Sequence, residues 1–408
     1  MKRATQPVKG RGTVLTAVAI AVAVVASLAL ASLASAAANP VAPGSKTTIT
    51  LNSGFVNKLK KSKVKLTGIK PATVKGKTVG LPIEEGSIDT AGQGELLHEG
   101  GLKFKAGKKS TTIKALVLNT TTSSLSGKLG GKTLKVASVT GLSAARNGFG
   151  VNVTIKSLKL TGKAATELNK KLGFNGKPKK KGKRASASKK KAPPKPFKGN
   201  QVLGGSTSET QPKTIGITPT GAVTLNVDLG AAVKLNEVHV SVAPIAPATV
   251  IKPLPPSFNF PLTGGTISPD GKAGSVRTGG GLLLHQEPIA FPGKETNMTL
   301  KNFFIELSTG RATVEVIVES TVEVPPASGM FPANLGNLGH PSIATLDMSG
   351  ATIKSDPTAH TVTIENGKAN LEETTAAVLN GVFGKFESKE PFKAGDPLGT
   401  FSFTATTE

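Results

Sequence analysis

Side chains able to do chemistry are scarce in this 408-residue chain: five histidines, no cysteine, no tyrosine and no tryptophan. Without cysteine there is no disulfide framework, no thiolate metal site and no thiol nucleophile. Without tyrosine there is no phenolate to serve as ligand, acid or base. His98, His239, His285, His340 and His360 do not cluster at the short spacings of metal-binding motifs. Glu84, Glu85 and Asp89 could seat a cation, but they sit on an alternating strand beside a glycine, where charged side chains face water. Asp356 and His360 flank Pro357, the composition of a solvated turn. No nucleophile elbow, zinc-protease helix or phosphate loop occurs, and Gly279-Gly280-Gly281 leads into an apolar strand, not a helix. The pattern reads as non-catalytic and metal-free; a secreted polymer-acting hydrolase would need two carboxylates that only the fold brings together.

Charge is the other chemical resource. The net charge of +26 is uneven: residues 37–169 carry +15, residues 170–198 carry +13, and residues 199–408 carry −6. Lys179, Lys180, Lys181, Lys183, Arg184, Lys189, Lys190 and Lys191 lie in an insertion over 177–195, among Pro, Gly and Ser with no apolar anchor. Such a segment cannot bury enough surface to order itself, so a surface loop is expected. Its charge suits anionic cell-envelope polymers or lipid headgroups. No aromatic residue interleaves the lysines, so specific nucleic-acid recognition by base stacking is not expected.

The elements that would carry these residues are mostly strands. Val314, Val316, Val318, Val322 and Val324 alternate with Glu315, Glu319 and Glu323, and Leu102 and Phe104 alternate with Lys103 and Lys105. A period of two puts one set inside and the other in water. The helix candidates are Ala164–Leu172, capped by Thr161, and Leu371–Val382, capped by Asn370 with Glu373. Ahead of all this, residues 1–36 form an export signal: Lys2, Arg3, Lys9 and Arg11, an apolar run from Val14 to Ala31, then Ala34-Ser35-Ala36. The alternative is a retained anchor. Either way the remainder is expected outside the cytoplasm, secreted or associated with the envelope.

Four landmarks recur in order. Pro71-Ala72-Thr73-Val74 returns as Pro247-Ala248-Thr249-Val250, and Gly100-Gly101-Leu102 as Gly280-Gly281-Leu282. Leu168-Asn169 returns as Leu379-Asn380, and Phe197-Lys198 with Leu203-Gly204 as Phe392-Lys393 with Leu398-Gly399. The repeats imply duplication. The expected fold is all-β: two tandem β-sandwich-like domains of about 160–200 residues over 45–208 and 209–408, each with one short α-helix near its C-terminal end.

These motifs together resemble the HtaA-type domain of actinobacterial cell-surface proteins, a family associated with haem. The resemblance covers nearly the whole mature chain, once per repeat. It implies a haem-iron tyrosine supported by a histidine, and it sets His98 of Gly94-Glu95-Leu96-Leu97-His98-Glu99-Gly100-Gly101 on the histidine position. Thr278 occupies that slot in the second repeat. With no tyrosine in the chain, the family's iron–phenolate bond cannot form here. A cofactor is therefore not expected, and the leading reading is an exported, non-catalytic envelope or surface protein acting by binding or as a structural element. The alternative is a haem-uptake component using His98 alone, since imidazole is a competent haem ligand.

Overall fold

The computed structural model describes residues 38–175, 195–323, 334–387 and 389–408. The export signal, nearly all of the lysine-rich insertion with its Lys179–Lys191 cluster, and Val324 lie outside the described residues. Among those described, no helix is long and apolar enough to cross a membrane.

The chain is mostly β, in two sheets that each close on themselves. In the first, Thr78–Ile88 pairs with Lys46–Leu51, which pairs with Val202–Thr210, and that strand pairs with Gly150–Leu160. The path returns through Lys132–Asn147, Ser124–Leu129, Lys109–Asn119 and Gly94–Ala106, whose first half reaches Thr78–Ile88 again. Every pairing is antiparallel, so the expected sandwich is a single wrapped sheet around one apolar interior. Its core includes Leu81, Leu96, Leu118, Leu129, Val153, Ile155 and Leu168, each almost fully buried.

The second sheet repeats the path. Pro256–Ile267 pairs with Ala222–Val227, then Pro397–Thr406, Thr361–Leu371, Ser342–Asp347, Arg311–Ser320, Thr296–Glu306 and Gly274–Thr278, which returns to Pro256–Ile267. The valine alternation holds: Val314, Val316 and Val318 are buried on the inner face of Arg311–Ser320.

The recurring landmarks touch one another. Gly100 (φ 79°) and Gly280 (φ 80°) lie against the turns that open the two Pro-Ala-Thr-Val segments. A Cβ on Gly100 would sit 2.4 Å from the Ile69 carbonyl, and one on Gly280 would sit 2.4 Å from the Ala248 nitrogen. Only glycine tolerates both the positive φ and the contact. These glycines do not turn the chain into a hairpin. They form a bulge inside a continuous strand in the first sheet and a break between two strands in the second. The Leu-Asn motifs close the other end. Asn169 Nδ2 donates to the Phe197 carbonyl and Asn380 Nδ2 to the Phe392 carbonyl, each at 2.8 Å, while each carboxamide oxygen accepts the same phenylalanine's amide.

Among the described residues each sheet carries two α-helices, not one. The helix expected over Ala164–Leu172 runs Gly162–Leu172, and Thr161 Oγ1 accepts the Ala164 amide at 3.2 Å to cap it. Its counterpart is shorter than the sequence indicates: Glu373–Leu379, then a π-turn over Asn380–Gly384. Leu371 and Asn370 end a strand, and Glu372 stands at the cap without accepting a helix amide, its carboxylate accepting the Ser342 hydroxyl instead. The unexpected helices are Ser53–Lys61 and Leu229–Glu237. Asn52 and Asp228 cap them, each accepting two amides with Oδ1.

Candidate functional site

His98 is the residue on which the sequence placed a cofactor. It sits inside the first sheet, on Gly94–Ala106, 2% exposed. Nδ1 lies 3.0 Å from the Leu116 carbonyl, which can only accept, so Nδ1 carries the proton. Nε2 must then accept, and it takes the Thr47 hydroxyl proton at 2.7 Å. Thr47 in turn accepts from Ser208 Oγ at 2.8 Å. Burial holds the imidazole pKa down at about 4, only partly offset by the bond to Leu116. The ring is therefore neutral, with both nitrogens engaged in a sealed network. It lies in the sheet interior, away from any turn or exposed surface, and it offers iron no free lone pair. Thr47 and Ser208 lie 51 and 110 residues from His98 and left no signal in the sequence.

The second sheet confirms that Thr278 is the equivalent residue. His98 lies opposite Ile83 and Thr278 opposite Leu262, each next to a bulge. Thr278 Oγ1 donates to the Phe303 carbonyl at 3.4 Å, as His98 does to Leu116. The positions of Thr47, Ser206 and Ser208 are filled by Val223, Phe401 and Phe403, judged by register. The polar network of one sheet is thus apolar core in the other.

The opposite exchange makes room. In the first sheet Phe55, on Ser53–Lys61, and Phe104 pack on Phe197 with ring centroids 6.3 and 5.8 Å apart. The space left beside them is about 50 Å³. Phe55 is third after its cap, and Ala231 is third after Asp228. Phe104 lies three residues past the glycine opposite Ile69, and Leu284 three past the glycine opposite Ile245. With Ala231 and Leu284 in place of two rings, Phe392 stands beside an apolar cavity of about 240 Å³. Leu225, Val227, Leu235, Met298, Leu300, Phe303, Val316 and Val378 line it, between Leu229–Glu237, Glu373–Leu379 and the sheet. The engineered cavities that take benzene are about 150 Å³, and pockets for drug-sized ligands start near 300 Å³.

The polar groups at this cavity are Lys234, Asp396, Thr374 and Thr375. Lys234 Nζ forms a charged hydrogen bond with Asp396, whose carboxylate also accepts the Lys393 amide at 2.7 Å. Burial pushes the Asp396 carboxyl up, but Lys234 and the Lys393 amide outweigh it and hold it below the usual carboxylate range. Neither this cavity nor the His98 network presents the donor set of a haem site.

The other sequence candidates stay apart. Glu84 and Glu85 are exposed, while Asp89 is buried and accepts the Gln93 amide at 2.7 Å within a turn. Asp356 accepts the Thr358 and Ala359 amides at 2.8 and 2.9 Å, which lowers its pKa and fixes the Pro357 turn. Among the described residues, no three His, Asp or Glu side chains converge to hold a metal ion.

The HtaA family (Htaa) matches residues 224–394. The C-terminal domain of HtaA from Corynebacterium glutamicum is 16% identical, with 48% of this chain and 99% of that one covered, at a TM-score of 0.31. The haem-binding protein HtaB of the same organism is 16% identical, with 48% and 96% covered, at 0.32. The N-terminal domain of HtaA is 12% identical, with 47% and 99% covered, at 0.31. No curated protein matches the chain. The match to the HtaA family, over residues 224–394, spans most of the second closed sheet and its cavity.

Proposed function

We propose that this is an exported, non-catalytic binding protein of the cell envelope, whose second closed sheet holds a slender apolar ligand. The observation that carries the reading is the cavity beside Phe392, opened by Ala231 and Leu284 where the first sheet has phenylalanines. Its size and lining suit a lipid acyl chain or a small isoprenoid, with Lys234 and Asp396 at the polar edge. Binding as a role is consistent with the HtaA match over the same residues. Haem is the ligand named for a structural relative. This chain has no tyrosine, and His98 is bonded at both ring nitrogens. Those two facts support a ligand other than haem.

The test uses the mature protein. Titration with the apolar fluorophore N-phenyl-1-naphthylamine is expected to give saturable, near-stoichiometric enhancement. Titration with hemin is expected to give no saturable Soret band, and the same spectra for His98→Ala. A Soret band abolished by His98→Ala would replace this reading with haem binding at His98.

A further inference from the structure

The outer face of the first closed sheet carries lysines where a stable, unoccupied surface would avoid them. Lys65, Lys103, Lys105, Lys114, Lys128 and Lys135 all alternate with inward residues on neighbouring strands, so they share one outer face. Two pairs are directly opposite in register: Lys65 with Lys105, and Lys114 with Lys128. Like charges at directly paired positions repel, at a Cβ separation of about 5 Å. Among the described residues none of the six forms an ion pair. Glu99 lies in the bulge between His98 and Gly101, next to Lys114 without an ion pair to it, and Glu95 lies beyond the bulge, bonded by Asn119. Thr112 and Thr133 fill positions between the lysines and add hydroxyl donors.

We infer that this face docks a linear, phosphate-bearing polyanion, running across the strands and neutralising the facing lysine pairs. The residues are distinct from the 177–195 insertion. A single-stranded nucleic acid would want aromatic platforms, and the chain has no Tyr or Trp, while Phe104 points inward. A membrane would want apolar side chains to insert, and Val202 is the only exposed large apolar residue among the described residues of this sheet. Lysines without arginines suit point-charge contact with a flexible chain of phosphates better than bidentate recognition of one group.

The experiment measures binding of fluorescently labelled inorganic polyphosphate to the full mature chain over a salt series. One variant carries Lys65, Lys103, Lys105, Lys114 and Lys128 all changed to Gln. A charge-matched control changes Lys58, Lys156, Lys159, Lys163 and Lys198 to Gln, and thermal unfolding checks that both fold. The face variant is expected to bind at least tenfold more weakly, with the slope of log affinity against log salt reduced by about 3. The control is expected to stay within about twofold of the parent in the same assay. Equal losses in both variants would overturn the proposal, since bulk charge would then explain binding. So would tighter binding to phosphatidylglycerol vesicles or to single-stranded DNA than to polyphosphate.

Discussion

At the scale of the residue, two side chains show how position changes chemistry. His98 reads as a ligand by its place beside Gly100 and Gly101, yet its work in the structure is to join strands through Thr47 and Leu116. Its folded pKa of about 4 lies below the ordinary imidazole value of 6.5, so the unfolded chain binds the extra proton between those limits. This group's contribution is complete above pH 6.5 and shrinks as pH falls toward 4, by roughly 3 kcal/mol in all. Denaturant unfolding should therefore show a steeper loss between pH 6.5 and 4.5 for the parent than for His98→Gln. Matching pH profiles would mean the ring is not buried neutral. Lys65 offers the converse case. Lys65→Glu places opposite charges across from Lys105, and unfolding at low salt should show a gain of about 0.2–1 kcal/mol that fades at high salt. A loss would mean the two side chains do not face each other.

At the scale of the element, the two capped helices have diverged. Ser53–Lys61 buries Phe55 and Leu59, while Leu229–Glu237 buries no residue fully, having Ala231 where Phe55 stands and facing Leu284 where the first sheet has Phe104. Hydrogen exchange should find the amides of 229–237 exchanging well before those of 53–61, and uniform protection would contradict the loose packing. Strand alternation, the Thr161 cap, the Leu-Asn pairs and the glycines at 100 and 280 were legible because each depends on neighbours in sequence or on a motif repeated whole. The Ser53–Lys61 helix was not, since Ser-Gly after Asn52 resembles a turn and only Phe55 and Leu59 mark its inner face. Asn370 misled because the strand runs one residue past it before the helix begins. The cavity could have been found by aligning the repeats on Asn52 and Asp228, which sets Phe55 against Ala231. The His98 network could not, because Thr47 and Ser208 reach it only through sheet closure.

At the scale of the whole molecule, the same strand order is used twice with opposite interiors. The first closed sheet spends its interior on a polar network and three packed rings, and turns a lysine face outward. The second keeps only Thr278 in place of His98, sets Val223, Phe401 and Phe403 at the other equivalent positions, and keeps a cavity. The described residues also join the two sheets through the Asn147–Gly150 hairpin: Phe149 packs on the second sheet's core and edge-on to His360, and Arg146 donates to the Glu408 carbonyl. An apolar anchor of this kind should hold in high salt, which the opposite net charges of the two halves would not.

The central claim is that ring loss in the second sheet created a ligand site, and a reciprocal exchange tests it most directly. N-phenyl-1-naphthylamine binding is measured for the parent, for Ala231→Phe with Leu284→Phe, and for Phe55→Ala with Phe104→Leu. The first pair should abolish saturable binding while leaving the melting temperature equal or higher, since it fills space. The second pair should destabilise by about 3–5 kcal/mol and add a second binding site if the sheet stays folded. Undiminished binding in a folded Ala231→Phe, Leu284→Phe protein would contradict the account, because the ligand would then sit elsewhere.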